Sequence, residues 1–358
     1  MKDIKLLFVV NSLSFSGAGK MVHYVAGLFA KEGYNVYAVS LNDSTLTSVD
    51  NGVNYYNLAL KGGGVKGRIN TIRQIRKLVK KITPDVCVSF VSDVAFSSYV
   101  ATRLMKRPII VSAERGDPYT LPKIWQFLCK LAYKGSDYCF FQLDNACAFY
   151  GDKVRRHSFV IPNAFIPSPV DSNLVKRNKT IVSAGRFEAQ KDFELLLQAF
   201  AIVHKKHQDY KLIIYGDGSL KNKYVVLCKQ LQIDDCVSFP GFVKNISEHI
   251  YSAGIFVLST FYEGIPNVLI EALALGLPSV SSDCSPGGPA FLTDNGRRGL
   301  LVPVGDLDKM VDSINRIIED ESLANSLSRS AVEIKEILSP NRINNMWIQA
   351  FNRIFDNK

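Results

Sequence analysis

The sequence predicts an α/β protein made of two doubly wound, Rossmann-like halves, each a parallel sheet with helices on both faces. Three observations predict it. Short apolar runs alternate with amphipathic stretches along the chain, the pattern of parallel strands joined by covering helices. The alternation breaks once, around Ile161-Pro162-Asn163-Ala164-Phe165-Ile166-Pro167-Ser168-Pro169, where three prolines in eight residues and a polar stretch to Thr180 read as an interdomain linker. The 358-residue length suits two domains of about 150–200 residues.

In the first half, strands are expected at 4–10, 35–41, 86–90, 109–113, 138–141 and 158–161, with helices at 18–32, 68–82, 93–105 and 122–135. In the first helix Met21, Val22, Val25, Ala26, Leu28 and Phe29 fall at helical spacing, and Gly33 supplies the stop. After the linker, strands fit 180–184, 211–215, 236–239, 255–258 and 278–281. Helices fit 192–207, 219–232, 246–252, 266–276 and 307–319, and a last helix over 341–355 follows Ser339-Pro340. The expected domains are 1–165, 166–340 and a closing segment 341–358. Two such halves imply a cleft between them, with ligands at the carboxyl ends of strands.

Composition excludes several classes. Apolar residues make up 47% and charged residues 21%, ordinary globular usage rather than that of a disordered, fibrous or coiled-coil chain. No run approaches the roughly 18 apolar residues of a membrane-spanning helix. Lys2 and Lys5 before Leu6-Leu7-Phe8-Val9-Val10 mimic a signal peptide, but five apolar residues fall short of the usual core of about 7–15, so a buried first strand is expected. Seven scattered cysteines without a CxxC fit neither a disulfide framework nor a zinc site and suit a reducing cytoplasm. The Asn-x-Ser/Thr matches at Asn178 and Asn245 then carry no glycosylation meaning.

Four loops carry candidate chemistry. Glu263 and Glu271 stand eight apart in a segment leaving the strand at 255–258, with Pro266 expected at the first helical position. The helix start suits a phosphate. Carboxylates beside a phosphate make sense if they bind sugar or ribose hydroxyls, and a solvated surface is the plain alternative. Arg186 and Lys191 lie on the loop after strand 180–184, where two cations suit a diphosphate. Ser16-Gly17-Ala18-Gly19-Lys20 resembles the end of a P-loop, but Ser14 stands where Gly is required and Met21 where Ser or Thr must hold magnesium. Glu114, Arg115 and Asp117 follow strand 109–113 and either face the cleft or form a structural ion-pair network. Two further motifs get no catalytic role: Gly216-Asp217-Gly218 reads as a strand-end turn, and Asp306-Leu307-Asp308 as helix capping rather than a metal site. The five histidines show no ligand spacing.

Gly185-Arg186 with Lys191, Gly241-Phe242-Val243, and Glu263 and Glu271 in the spacing E-x7-E together resemble the retaining GT-B glycosyltransferases of family 4. The resemblance extends over nearly the whole chain, including Pro162-Asn163 and Gly299-Leu300-Leu301-Val302-Pro303. It implies that Arg186 and Lys191 bind the donor diphosphate, Glu271 the ribose, and Glu263 the donor sugar. It places the backbone of Gly264, Ile265, Pro266, Asn267 and Val268 around the donor, Val243 near the base, and Gly17 near the diphosphate or acceptor. It also implies a final helix packed on the first domain and no need of a metal or other cofactor. This chain departs from the family at Gly19, where many relatives carry Glu, and at Glu114-Arg115, near where many carry His. A similar Ser-Glu-Arg-x-Asp-Pro string occurs in relatives that build surface polysaccharides, such as lipopolysaccharide, O-antigen or capsule.

The expected activity is transfer of a hexosyl unit, with galactose or N-acetylgalactosamine preferred, from a UDP-sugar to a lipid-linked saccharide. The rivals are a GT-B epimerase or phosphorylase, which turns over donor without an acceptor, and a non-catalytic nucleotide-sugar-binding protein. Nucleic acid is not an expected partner, because basic stripes interleaved with aromatics are absent.

The formal charge of +10 is unevenly placed. Residues 1–165 carry 22 Lys+Arg against 11 Asp+Glu, a net of +11, and residues 166–358 carry 21 against 22, a net of −1. The excess gathers at Lys66, Arg68, Arg73, Arg76, Lys77, Lys80, Lys81, Arg103, Lys106, Arg107, Lys123, Lys130 and Lys134. It suits peripheral docking of the first domain on the anionic inner face of the cytoplasmic membrane. The helix at 122–135 mixes Trp125, Phe127, Leu128 and Leu131 with lysines and reads either as an interfacial helix or as a core-packed one.

Overall fold

The structure is a computed structural model that describes residues 3–14, 17–43, 51–103, 108–167, 170 and 176–356. Lys2, Ser16, Lys106, Arg107, Ser168 and Pro169, named above, lie outside the described residues. The chain divides into two compact units, Met1–Asn163 with Ile343–Lys358, and Ala164–Arg342.

The first unit runs β1 (Lys5–Val10), α1 (Gly17–Lys31), β2 (Asn35–Ser40), β3 (Asn54–Asn57), α2 (Gly64–Ile82), β4 (Val86–Phe90), α3 (Ser92–Thr102), β5 (Ile109–Ala113), α4 (Lys123–Gly135), β6 (Tyr138–Phe141), α5 (Asp144–Ala148), α6 (Asp152–Arg155) and β7 (Ser158–Val160). Its seven strands lie in the order β3-β2-β1-β4-β5-β6-β7, and every pairing is parallel. The central strands are apolar throughout, because both faces are covered: Leu6 to Phe8 and Val86 to Val88 are wholly buried.

The second unit repeats the scheme with β8 (Thr180–Ala184), α7 (Phe193–Lys206), β9 (Lys211–Tyr215), α8 (Lys221–Gln230), β10 (Val237–Gly241), α9 (Ser247–Ile250), β11 (Ile255–Leu258), α10 (Asn267–Ala274), β12 (Ser279–Asp283), α11 (Gly288–Thr293), β13 (Leu300–Pro303), α12 (Leu307–Glu319), α13 (Glu321–Ala331) and α14 (Ile334–Ile337). Its six strands run β10-β9-β8-β11-β12-β13, again all parallel. The two doubly wound halves expected from the sequence are therefore present.

Several features were not expected. β3 and β13 are four-residue edge strands, too short and too polar or proline-flanked to show a period. The helices α5, α6, α11, α13 and α14 lie in stretches read above as connections. Pro266 caps α10 from outside rather than opening it, since the helix starts at Asn267. Asp306 caps its helix as expected, accepting from Lys309 N, and the Asp192 side chain likewise accepts from Leu195 N. All seven cysteines are free thiols. Among the described residues no helix is long and apolar enough to cross a membrane.

The last helix, α15 (Pro340–Asp356), joins the first unit from Ile343 onward. Its Trp347 is fully buried, with its ring centroid 4.6 Å from Phe140 and the Arg115 guanidinium 5.2 Å from its ring. Phe351 meets Phe29 at 4.2 Å, and the Tyr24 hydroxyl donates to Asn344 at 2.6 Å. Truncating such a side chain leaves a cavity, so Trp347→Ala is expected to cost about 3–5 kcal/mol, read as a lower urea midpoint by circular dichroism. An unchanged midpoint would contradict this packing role.

Candidate functional site

In the second sheet the strand order reverses between β8 and β11, so their following helices leave in opposite directions and open a crevice at the strand ends. β8 delivers the loop from Gly185 to Lys191, and β11 delivers the loop from Ser259 to Pro266. The basic pair and the E-x7-E segment thus converge on one point.

The first loop is built to a fixed shape. Phe187 is buried in edge-to-face contact with Phe193, Tyr224 and Phe239. Its N–H donates to Asp217 O at 2.9 Å, and its carbonyl accepts from Leu220 N at 3.0 Å. Gly216 (φ +136) and Gly218 (φ +157) make this possible, because a Cβ at Gly216 would stand 1.8 Å from Gly185 O and one at Gly218 would stand 2.7 Å from Phe187 O. The strand-end turn read from sequence is therefore a buttress for the cationic loop.

The second loop is braced on two sides. Glu263 N donates to Ser285 O at 3.0 Å, just before the cis Ser285–Pro286 peptide. Gly288 packs against Gly264, where an added Cβ would lie 1.5 Å from Gly264 O. On the other side Lys191 Nζ donates to Glu263 Oε2 at 2.6 Å, both side chains being largely buried. Ser259 Oγ holds the Lys191 carbonyl at 3.1 Å.

The other expected donor-site residues take definite places. Arg186 is exposed on the first loop, and Glu271 sits half-buried on α10, four residues past its start. Gly264, Ile265 and Pro266 are buried, while Asn267 and Val268 are half-buried at the helix start, where backbone N–H groups lack intrahelical acceptors. Val243 is half-buried two residues beyond β10, after Gly241 (φ +96).

In the first unit the loop after β1 folds back on the start of α1. Gly17 is exposed at the first position of α1. Gly19 lies under the loop: an added Cβ would meet Ser14 O at 2.0 Å, so the Glu of many relatives has no room without moving this backbone. Asp43 accepts from Ser12 Oγ at 2.5 Å and Leu13 N at 2.6 Å. Burial pushes the Asp43 carboxyl up, but hydrogen bonds from Ser12, Ser40 and the amides of Leu13 and Ser14 outweigh it, and the net shift is downward. His23 Nε2 lies 2.9 Å from Leu13 O, and burial lowers its pKa, which favours a neutral ring donating to that carbonyl.

The residues after β5 are tied into the first unit by hydrogen bonds. Glu114 is 3% exposed, and its carboxylate accepts from Ser92 Oγ, from Tyr150 OH at 2.8 Å, and from the amides of Arg115 and Gly116 at 3.0 Å each. Each of its two oxygens thus accepts two hydrogen bonds. Arg115 turns inward between Phe90 and Trp347, donates to Ile161 O and Asn163 Oδ1, and is lowered to about 10 by burial. Asp117 Oδ1 caps the turn at Pro118–Thr120 by accepting from Tyr119 N.

Among the described residues no group of three or more His, Cys, Asp or Glu side chains gathers to hold a metal ion. Gln190 lies on the same loop, just before Lys191, in no motif of the sequence. In the structure its side chain reaches Glu263, 73 positions away, a contact that no local pattern signals.

Two family models match the chain: "Glycosyl transferases group 1" over residues 167–333 and "Glycosyl transferase 4-like" over residues 5–142. A Campylobacter jejuni protein named "GalNAc-alpha-(1->4)-GalNAc-alpha-(1->3)-diNAcBac-PP-undecaprenol alpha-1,4-N-acetyl-D-galactosaminyltransferase" is 26% identical over 97% of this chain and 98% of its own. Among solved structures, sucrose-phosphate synthase of Thermosynechococcus elongatus superposes with a TM-score of 0.83 at 16% identity, covering 99% of this chain and 100% of that one. HepE of Anabaena, solved with UDP-glucose, superposes with a TM-score of 0.78 at 16% identity, covering 98% of this chain and 100% of that one.

Proposed function

We propose that this chain, a glycosyltransferase of GT-B fold, transfers a hexosyl unit from a UDP-sugar to a lipid-linked saccharide with retention of anomeric configuration. The observation that carries this is the convergence of Lys191, Glu263 and the start of α10 at the reversal point of the second sheet. The relative that acts on an undecaprenol-diphosphate saccharide supports the acceptor class and the preference for N-acetylgalactosamine or galactose. The neighbour solved with UDP-glucose supports the UDP donor.

In this reading Arg186, Lys191 and the positive end of the α10 dipole neutralise the diphosphate, so no metal is required of the site. Glu271 binds ribose hydroxyls, and Glu263 fixes the sugar. The bond from C1 to the β-phosphate oxygen breaks with its electron pair going to the phosphate. The acceptor oxygen attacks C1 from the same face, and its proton passes to the departing phosphate oxygen. This route needs no protein base.

A lipid-linked acceptor places the reaction at a membrane surface, and the first unit offers a face for it. The described helices α2 and α4 contain ten Lys or Arg and no Asp or Glu. Both pack on α3. On α4, Cys129, Ala132 and Tyr133 turn inward while Ile124, Phe127 and Leu131 stay exposed, which supports an interfacial role for its outer face. This face docks on anionic phospholipid of the inner leaflet.

Lys191→Ala should lower kcat/KM for the donor by about 100-fold, and Glu271→Ala by about 10-fold or more, in an assay of nucleotide release with extracted lipid-linked acceptor. Near-normal kinetics in both would remove the site assignment. In vesicle sedimentation the protein should bind phosphatidylglycerol but not phosphatidylcholine, and lose binding as salt is raised. Equal binding to both vesicle types would contradict the docking face.

A further inference from the structure

Four hydrogen bonds join Gln190 to the loop after β11. Its Nε2 donates to Tyr262 O at 2.8 Å and to Glu263 Oε2 at 3.2 Å. Its backbone carbonyl accepts from Phe261 N and Thr260 Oγ1, each at 2.9 Å. Both hydrogens of the amide are therefore used on acceptors, which also fixes the orientation of the group.

Glu263 Oε2 accepts from two donors, Gln190 Nε2 and Lys191 Nζ. The two are not equivalent when a donor arrives. A diphosphate carries more negative charge than one carboxylate and draws the ammonium toward itself. The lysine stem is confined, since a Cβ at Gly185 would stand 3.0–3.2 Å from its Cε, Cδ and Cγ, so the head is the part free to turn. Glu263 then keeps only the amide. A neutral donor suits that duty, because it holds the carboxylate without competing for the phosphate.

We propose that Gln190 is a positioning residue that keeps the Glu263 carboxylate aligned on the donor sugar once Lys191 has turned to the diphosphate. The proposal rests on the donor-site reading above. It separates two functions: Lys191 governs affinity for the nucleotide, and Gln190 governs turnover of the sugar.

The test compares Gln190→Ala and Gln190→Glu, the latter near-isosteric and lacking both donors, with Lys191→Ala and Glu263→Ala. UDP binding is measured by calorimetry and sugar transfer by kinetics with whichever UDP-, GDP- or ADP-sugar the unaltered enzyme turns over. Both Gln190 variants should bind the nucleotide within about 3-fold of the unaltered protein, while kcat falls about 10- to 100-fold and donor KM changes little. Lys191→Ala should instead lose nucleotide affinity about 10-fold or more. Normal kcat in both Gln190 variants overturns the proposal, as does loss of nucleotide affinity in step with kcat, which marks a merely structural clamp. Normal kinetics in Lys191→Ala and Glu263→Ala, or no turnover of any of these donors, overturns the donor-site reading and the Gln190 role with it.

Discussion

Everything at the candidate site depends on the reversal of strand order between β8 and β11. A parallel sheet places all carboxyl ends on one edge, and the reversal sends the flanking helices to opposite faces, which leaves that edge open. Lys191 and Glu263 are 72 residues apart in sequence, yet this topology brings them to 2.6 Å. A largely buried pair of opposite charges costs desolvation that its attraction only partly offsets. Such a pair is weak evidence for stability. In the proposed function the two groups satisfy each other until a ligand with a larger charge arrives.

The glycines around the pair serve the same constraint. Gly216 and Gly218 let one turn press on the backbone of the cationic loop, and Gly288 lets α11 press on the loop of Glu263. Side chains at these places would push the two loops apart. The site is thus held by backbone contact from behind, and its charged groups are left to the ligand.

Much of this was legible in the sequence. The β/α alternation and the proline-rich break disclosed two doubly wound halves, and E-x7-E with Arg186 and Lys191 marked the loops that meet. What escaped was short or non-local. β3 and β13 lie at sheet edges and run only four residues, too few to show a period. Gln190 looked like any polar loop residue because its partners lie beyond residue 259. Glu114 and Arg115 left two readings open in the sequence because nothing local shows that Tyr150 and Trp347 pack against them. The departure at Gly19 also gained a cause, since the loop from Ser12 to Ser14 occupies the space a side chain would need.

The charge is unevenly spread between the units. The basic excess lies in the first, on helices that also expose Ile124, Phe127 and Leu131, whereas the second carries a near-neutral balance and the two loops of the candidate site. The central claim is that the Lys191–Glu263 pair is exchanged when donor binds. A crystal structure with UDP tests it most directly. The account predicts Lys191 Nζ within hydrogen-bond distance of a diphosphate oxygen, with Glu263 still held by Gln190. A diphosphate bound away from the β8 loop, with the Lys191–Glu263 pair intact, would contradict it.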